Sequence, residues 1–222
     1  MDKKKDISTV NRPTIRKEPA QKFIDTGIVQ AHMKGIMKNI FAKGSINSGI
    51  SEQHLLQWNL GLSKDGHTVF FYQNIKGQYV AVRIFKYDSD LHKSACWTPK
   101  GFQRKDGYRG CLFGEHFLKG TPNDKTIVLV ESEKSAIIAS WFIQARLWIA
   151  GGGTQGFTDE RLKVLDRFNR IIIMFDCDDS GRKAAKKLKE KLGGRAIIVD
   201  LEKERDGGYD VADHLLEKRL DV

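Results

Sequence analysis

The chain has 222 residues, 40% of them hydrophobic and 30% charged, and carries a formal net charge of +10. That length suits one large domain or two small ones around a buried core, and no apolar run approaches the roughly 20 residues needed to span a bilayer. The polar N-terminus has no secretory-type apolar segment, and Cys96, Cys111 and Cys177 form no CxxC pair, so neither a disulfide framework nor a zinc ribbon is indicated. The positive excess favours an anionic partner, with nucleic acid ahead of an acidic membrane surface. A reduced, cytoplasmic protein is expected.

Residues 1–20 hold Lys3, Lys4, Lys5, Arg12, Arg16 and Lys17 with few large apolar groups, which reads as a flexible basic arm. A phosphate-touching arm and a plain solubilising tail fit it equally. From Phe23 to Phe41 a mixed apolar pattern predicts one or two short helices, broken at Gly44 and the Ser45–Ser48 region. Thr68–Gln73 and Tyr79–Tyr87 are strand-like runs joined across Asn74, Ile75, Lys76 and Gly77, the pattern of a hairpin. Basic residues at Arg83, Lys86, Lys93, Lys100, Arg104, Lys105 and Arg109 are interleaved with Tyr87, Trp97, Phe102 and Tyr108. Cations for phosphates and planar faces for unstacked bases are what single-stranded nucleic acid requires. A hairpin with an apolar inner face and ordinary outer lysines competes closely with that reading.

Residues 119–125 have linker composition, and beyond them the pattern becomes regular. Strands are predicted at Thr126–Val130, Leu147–Ala150, Ile171–Phe175 and Ala196–Val199. Helices are predicted over Glu133–Arg146, Thr158–Phe168 and Gly181–Leu192, with a last one from about Asp210. Serial β–α units argue for a parallel, doubly wound sheet, whose carboxyl-end rim would gather Glu131, the run Gly151–Gly153 and the pair Asp176/Asp178. Close carboxylates repel unless a cation lies between them, and a hard divalent ion meets that need. Taken alone, the Asp176–Ser180 run is accounted for equally well as a helix cap with spare acids.

A glutamate facing an Asp-x-Asp pair is more specific than either part. Here the chain resembles the TOPRIM domain of bacterial-type primases, topoisomerases, OLD-family nucleases and RecR proteins. The matching residues are Val130-Glu131, Gly153-Thr154, Phe175-Asp176-Cys177-Asp178, Ser180-Gly181-Arg182 and Ala184-Ala185, within about residues 125–216. The primase version looks closest, with Gly77–Arg83, Lys100 and Leu112-Phe113-Gly114 echoing its preceding elements. The stretch Cys111–Ser140 also looks like TOPRIM-like proteins of mobile elements.

The resemblance implies an α/β fold: a small α+β subdomain at 21–119, then a four-stranded, mostly parallel, doubly wound TOPRIM domain at 125–222. It implies Mg²⁺ (or Mn²⁺) held by Asp176 and Asp178, with Glu131 as metal ligand or general acid/base. Asp179, Asp210 and Asp213 would be supporting acids. Arg83, Lys100, Arg104, Arg109, Lys134, Gly153, Thr154 and Arg182 would contact nucleic acid or nucleotide, although a salt bridge suits Lys134 equally. Single-stranded DNA and nucleotides are the implied partners, with a helicase or relaxase beside them and no membrane.

The departures are specific. Such primases usually carry a zinc ribbon first, and this sequence has no cysteine pair to make one; Ser132 stands for the usual glycine after the glutamate, and Ser135 stands for a common acid. Asp210 and Asp213 are spread one position wider than the usual pair. Primase-like nucleotidyl transfer leads because of the preceding basic hairpin domain, with a TOPRIM nuclease as one alternative and a non-catalytic DNA-binding accessory, which Ser132 and Ser135 favour, as the other. A topoisomerase, which needs a further tyrosine-bearing domain, has little room.

Overall fold

Two stretches of strand-forming sequence build two sheets. The structure, a computed structural model, describes residues 18–201 and 207–220, so the expected basic arm up to residue 17 lies outside the described residues. The first sheet is antiparallel, with β1 (Leu60–Leu62), β2 (Thr68–Gln73), β3 (Tyr79–Tyr87) and β4 (Lys93–Trp97) in that spatial order. The β2–β3 hairpin has the expected ends. Its turn closes because Asn74 Oδ1 accepts from the amides of Lys76 and Gln78, both at 3.0 Å, while Gly77 takes the left-handed conformation (φ 81°).

Three short helices precede and flank this sheet: α1 (Thr26–Met33), α2 (Ile40–Asn47) and α3 (Glu52–Gln57). The expected break at Gly44–Ser48 is corrected by the structure, because Gly44 lies inside α2. A Cβ there would stand 2.6 Å from Leu91 Cδ2, so the glycine serves close packing rather than a turn. Buried Asn39 caps α2 through Phe41 N–H at 2.8 Å. It also accepts from Thr68 Oγ1 at 2.8 Å and donates to the Gly61 carbonyl at 3.0 Å, tying helix to sheet.

The second sheet is parallel, with β5 (Ile127–Val130), β6 (Leu147–Ala150), β7 (Ile171–Ile173) and β8 (Ala196–Ile198) in the order β6-β5-β7-β8. Both of its faces are covered, as continuous apolar strands require. Val128 and Val130 join the core beneath α4 (Glu133–Phe142) and α7 (Val211–Leu220). Ile127 and Leu129 face α5 (Asp159–Leu162) and α6 (Asp179–Leu192). The helix expected over 158–168 is α5 followed by a 3-10 turn at Lys163–Leu165, and α4 is shorter than its apolar pattern suggested.

The two sheets share one core. Phe113 pairs with Ala150 through two backbone hydrogen bonds of 2.8 and 3.0 Å, extending the β6 edge. Its ring stacks on Trp58 (5.2 Å between centroids) and meets Phe70 edge-on (5.5 Å). This seam fixes the antiparallel sheet against the rim of the parallel one.

Candidate active site

In the order β6-β5-β7-β8 the chain leaves β5 toward β6 on one side and reaches β7 on the other. The carboxyl ends of β5 and β7 therefore flank a topological switch point, where α/β sheets open a crevice. Glu131 follows β5 and Asp176 follows β7 by three residues. Glu131 Oε1 accepts from the Asp176 amide at 3.2 Å, and its carbonyl accepts from Gly152 and Gly153 N–H at 2.9 and 2.8 Å. The glycine run is thus folded back onto the glutamate, with Gly152 (φ 78°) and Gly153 (φ 112°) in conformations that disfavour side chains. Asp178 caps α6, its Oδ1 accepting from Gly181 N–H at 2.7 Å. At Gly181 a Cβ would collide with the Asp176 carbonyl and stand 2.8 Å from Glu131 Oε1.

The far end of the chain closes this rim. Cys177 N–H donates to the Tyr209 carbonyl at 2.8 Å, which delivers Asp210 and the start of α7. Asp210 and Asp213 each accept the other's amide, at 3.0 and 3.1 Å. Lys134 Nζ lies 2.7 Å from Asp213 Oδ1 and 3.4 Å from Asp210 Oδ2. Ser132 caps α4 through Ser135 N–H at 3.1 Å, and Ser135 Oγ donates to Asp210 Oδ2 at 2.8 Å.

These carboxylates stand in an electrostatic environment that favours a cation. Burial pushes Asp176 up to about 8, and Glu131, Asp210 and Asp178 repel its charge further. Burial likewise pushes Glu131 up to about 7, with Asp178 and Asp210 adding to the effect. The Asp176 carboxylate takes no hydrogen bond from the described residues, and Asp178 Oδ2 is also without one. An all-oxygen, mutually repelling set with open lone pairs fits a hard divalent ion such as Mg²⁺ or Mn²⁺.

A cleft of about 660 Å³ opens beside the rim. Arg83 projects from β3, where its Nη1 reaches Glu133 Oε1 at 2.9 Å and the Gly152 carbonyl at 2.8 Å; Glu133 is also hydrogen-bonded by Tyr72 OH. Burial pulls the Arg83 guanidinium down, but Glu133 and Tyr72 outweigh it, so the group stays charged. Trp97, Phe102, Tyr108, Arg104 and Arg109 line the same cleft. Glu18 bridges both of those arginines, its Oε1 accepting from Arg104 at 2.8 Å and its Oε2 from Arg109 at 3.1 Å.

The structure does not gather every expected residue. Lys100 lies in an exposed turn and is absent from the residues lining this cleft. Arg182 bonds Asp200 at 3.2 Å, and Asp179 is an exposed first-turn acid of α6. Thr154 lines a separate groove with Ser180, Lys183 and Lys187. The sequence reading missed Glu133 and Tyr72, because a first-turn helix acid and a strand tyrosine carry no distinguishing pattern. It also missed Asp88, Asp90 and His92, exposed ligand-type side chains within 4.8 Å of one another at the β3–β4 turn. There Asp88 Oδ1 accepts the amides of Asp90 and His92, which shapes the turn.

Residues 36–177 match a family model described as a domain of unknown function, DUF6371. The chain belongs to the DUF6371 family. No curated protein matches the sequence of this DUF6371 chain. Among solved structures, it is similar to the primase fragment of the bacteriophage T7 primase-helicase protein, with a TM-score of 0.61 and 19% identity over 95% of this chain and 80% of that one. The E. coli primase catalytic core gives 0.61 and 15% over 86% and 74%. A DnaG primase catalytic domain solved bound to single-stranded DNA gives 0.62 and 14% over 86% and 74%. At such identities the likeness is one of fold: this DUF6371 chain has the fold of primase catalytic cores.

Proposed function

We propose that this chain is a Mg²⁺-dependent (or Mn²⁺-dependent) nucleic-acid enzyme of the TOPRIM type, acting by primase-like nucleotidyl transfer on single-stranded DNA. The observation that carries the reading is the meeting of Glu131, Asp176 and Asp178 at the switch point, beside a cleft of arginines and aromatic rings. In this reading residues 21–119 supply the template-binding subdomain and 125–222 the TOPRIM domain. A helicase or relaxase of a mobile element and a cytoplasmic setting accompany it.

Asp176, Asp178 and Glu131 would hold the ion. When bound, a divalent cation supplies Lewis-acid polarisation of a phosphoryl oxygen and charge neutralisation in the displacement. Glu131, fixed by its Oε1 to the Asp176 amide and pushed to about 7, is suited to take a proton from an attacking hydroxyl or to complete the ligand set. Gly153, around which a Cβ would meet nothing within 4 Å, leaves the backbone open to close approach by a phosphate. Arg83 is held by Glu133 at the join between cleft and glycine run, where it can orient a phosphate without leaving its partner. Trp97, Phe102 and Tyr108 offer faces on which unpaired bases stack.

The test is a Mg²⁺ or Mn²⁺ titration with labelled ribonucleotides and single-stranded DNA, comparing the chain with the Asp176→Ala/Asp178→Ala double variant. Metal-dependent lengthening that the variant lacks supports nucleotidyl transfer. Metal-dependent shortening selects the nuclease alternative, which uses the same carboxylates. DNA binding without product at any metal concentration sinks the catalytic reading and leaves the accessory one.

A further inference from the structure

The rim holds five carboxylates (Glu131, Asp176, Asp178, Asp210 and Asp213), yet they are not equivalent. Every carboxylate oxygen of Asp210 and Asp213 is already engaged. Asp210 Oδ1 accepts from Asp213 N–H at 3.0 Å, and its Oδ2 accepts from Ser135 Oγ at 2.8 Å and faces Lys134 Nζ at 3.4 Å. Asp213 Oδ1 accepts from Lys134 Nζ at 2.7 Å and its Oδ2 from Asp210 N–H at 3.1 Å. Glu131, Asp176 and Asp178 have fewer such partners, and these are backbone amides.

Lys134 is also confined. Its side chain is 12% exposed and that of Asp210 8%, so withdrawing the ammonium would strand a buried charge without compensation. It lines the same pocket as Asp176, Asp210 and Asp213. Paired-ion phosphoryl-transfer sites place two metals roughly 3.5–4 Å apart on shared carboxylates. An ammonium fixed between two of the carboxylates repels any further cation brought that close.

We infer that the Lys134 ammonium occupies the place of a second cation, so that the site takes one divalent ion on Glu131, Asp176 and Asp178, with Asp210 and Asp213 withdrawn from metal binding. This rests on the metal-dependent reading above. It changes the expected role of Lys134 from contacting nucleic acid to limiting the ion count, and gives Ser135 the task of orienting Asp210 toward the lysine.

Mn²⁺ stoichiometry on the full chain, read by electron paramagnetic resonance of free ion and by calorimetry, tests this without reference to turnover. The wild type is expected to bind one ion, Lys134→Arg one, and Lys134→Met two, the second on the freed Asp210 and Asp213. Two ions in the wild type, or one in a folded Lys134→Met variant, would overturn the inference. Should Lys134→Met fail to fold, Asp213→Asn decides: one ion with affinity within about threefold of wild type is expected, and loss of that ion overturns the assignment. The absence of any saturable Mn²⁺ site in the wild type would instead bring down the metal-dependent reading itself.

Discussion

Gly181 shows how tightly the acidic rim is drawn. The space a Cβ would need is taken by the Asp176 carbonyl and Glu131 Oε1, so Gly181→Ala must push apart the two groups that the fold brings together. A loss of about 1–3 kcal/mol is expected from such overpacking, together with at least a tenfold weaker Mn²⁺ affinity, measurable by denaturant melts and calorimetry. On the cleft side Glu18 presents a carboxylate to Arg104 and Arg109, the place a phosphodiester would take. Glu18 and Arg104 are largely exposed and Arg109 only partly buried, so these ion pairs contribute little to stability and yield readily to a stronger anion. Glu18→Gln is expected to raise single-stranded DNA affinity several-fold with unchanged thermal stability, and Arg109→Ala to lower affinity at low salt; fluorescence anisotropy across a salt series reads both. Glu131, Asp176 and Asp178 could be singled out in the sequence because each sits next to a strand-like apolar run. Glu18 could not, since its partners lie 86 and 91 positions away.

Among the elements, the β2–β3 hairpin and the glycine run depend on one buried pair. Glu133 is 2% exposed and accepts from Arg83 and Tyr72, while Arg83 reaches on to the Gly152 carbonyl. Removing the acid leaves a guanidinium in the cleft wall without its counter-charge. Glu133→Ala is expected to cost about 3–5 kcal/mol and to loosen the glycine run, seen as faster amide exchange at Gly152 and Gly153. Glu133→Gln, which keeps an acceptor, should cost less. The hairpin could be read from alternation and an Asn-x-x-Gly turn, whereas β4 could not: all five of its residues are exposed, and β3 alone supplies its pairing. Nor could α2 be followed through Gly44, where contact with Leu91 overrides the residue's weak helix preference.

At the scale of the whole molecule, the seam between the two sheets carries a titrating group. His116 Nε2–H donates to the Gln57 carbonyl at 3.1 Å, its ring lies 4.0 Å from that of Phe117, and its Nδ1 is buried without a partner. Burial lowers its pKa from 6.5, and the bond to Gln57 only partly opposes this. The unfolded chain therefore takes up a proton near pH 6.5 that the folded chain resists, and the stability due to neutral His116 is lost as pH falls below that value. The cost of His116→Gln should accordingly shrink between pH 7 and pH 5, by at most about 1.4 kcal/mol per pH unit. Urea midpoints of both proteins at the two values check it, and a pH-independent cost would refute it.

The order of strands and helices after residue 125, and the acids ending the strands, were determined by sequence alone, because apolar period and turn chemistry are local properties. The tertiary structure decided what those acids face. Strand order β6-β5-β7-β8 made neighbours of Glu131 and Asp176, 45 positions apart, and the bridge from Cys177 to Tyr209 brought in Asp210. It also turned Lys134 away from the cleft and onto Asp210 and Asp213. The charge a side chain meets depends on distance through space, which a linear pattern does not carry.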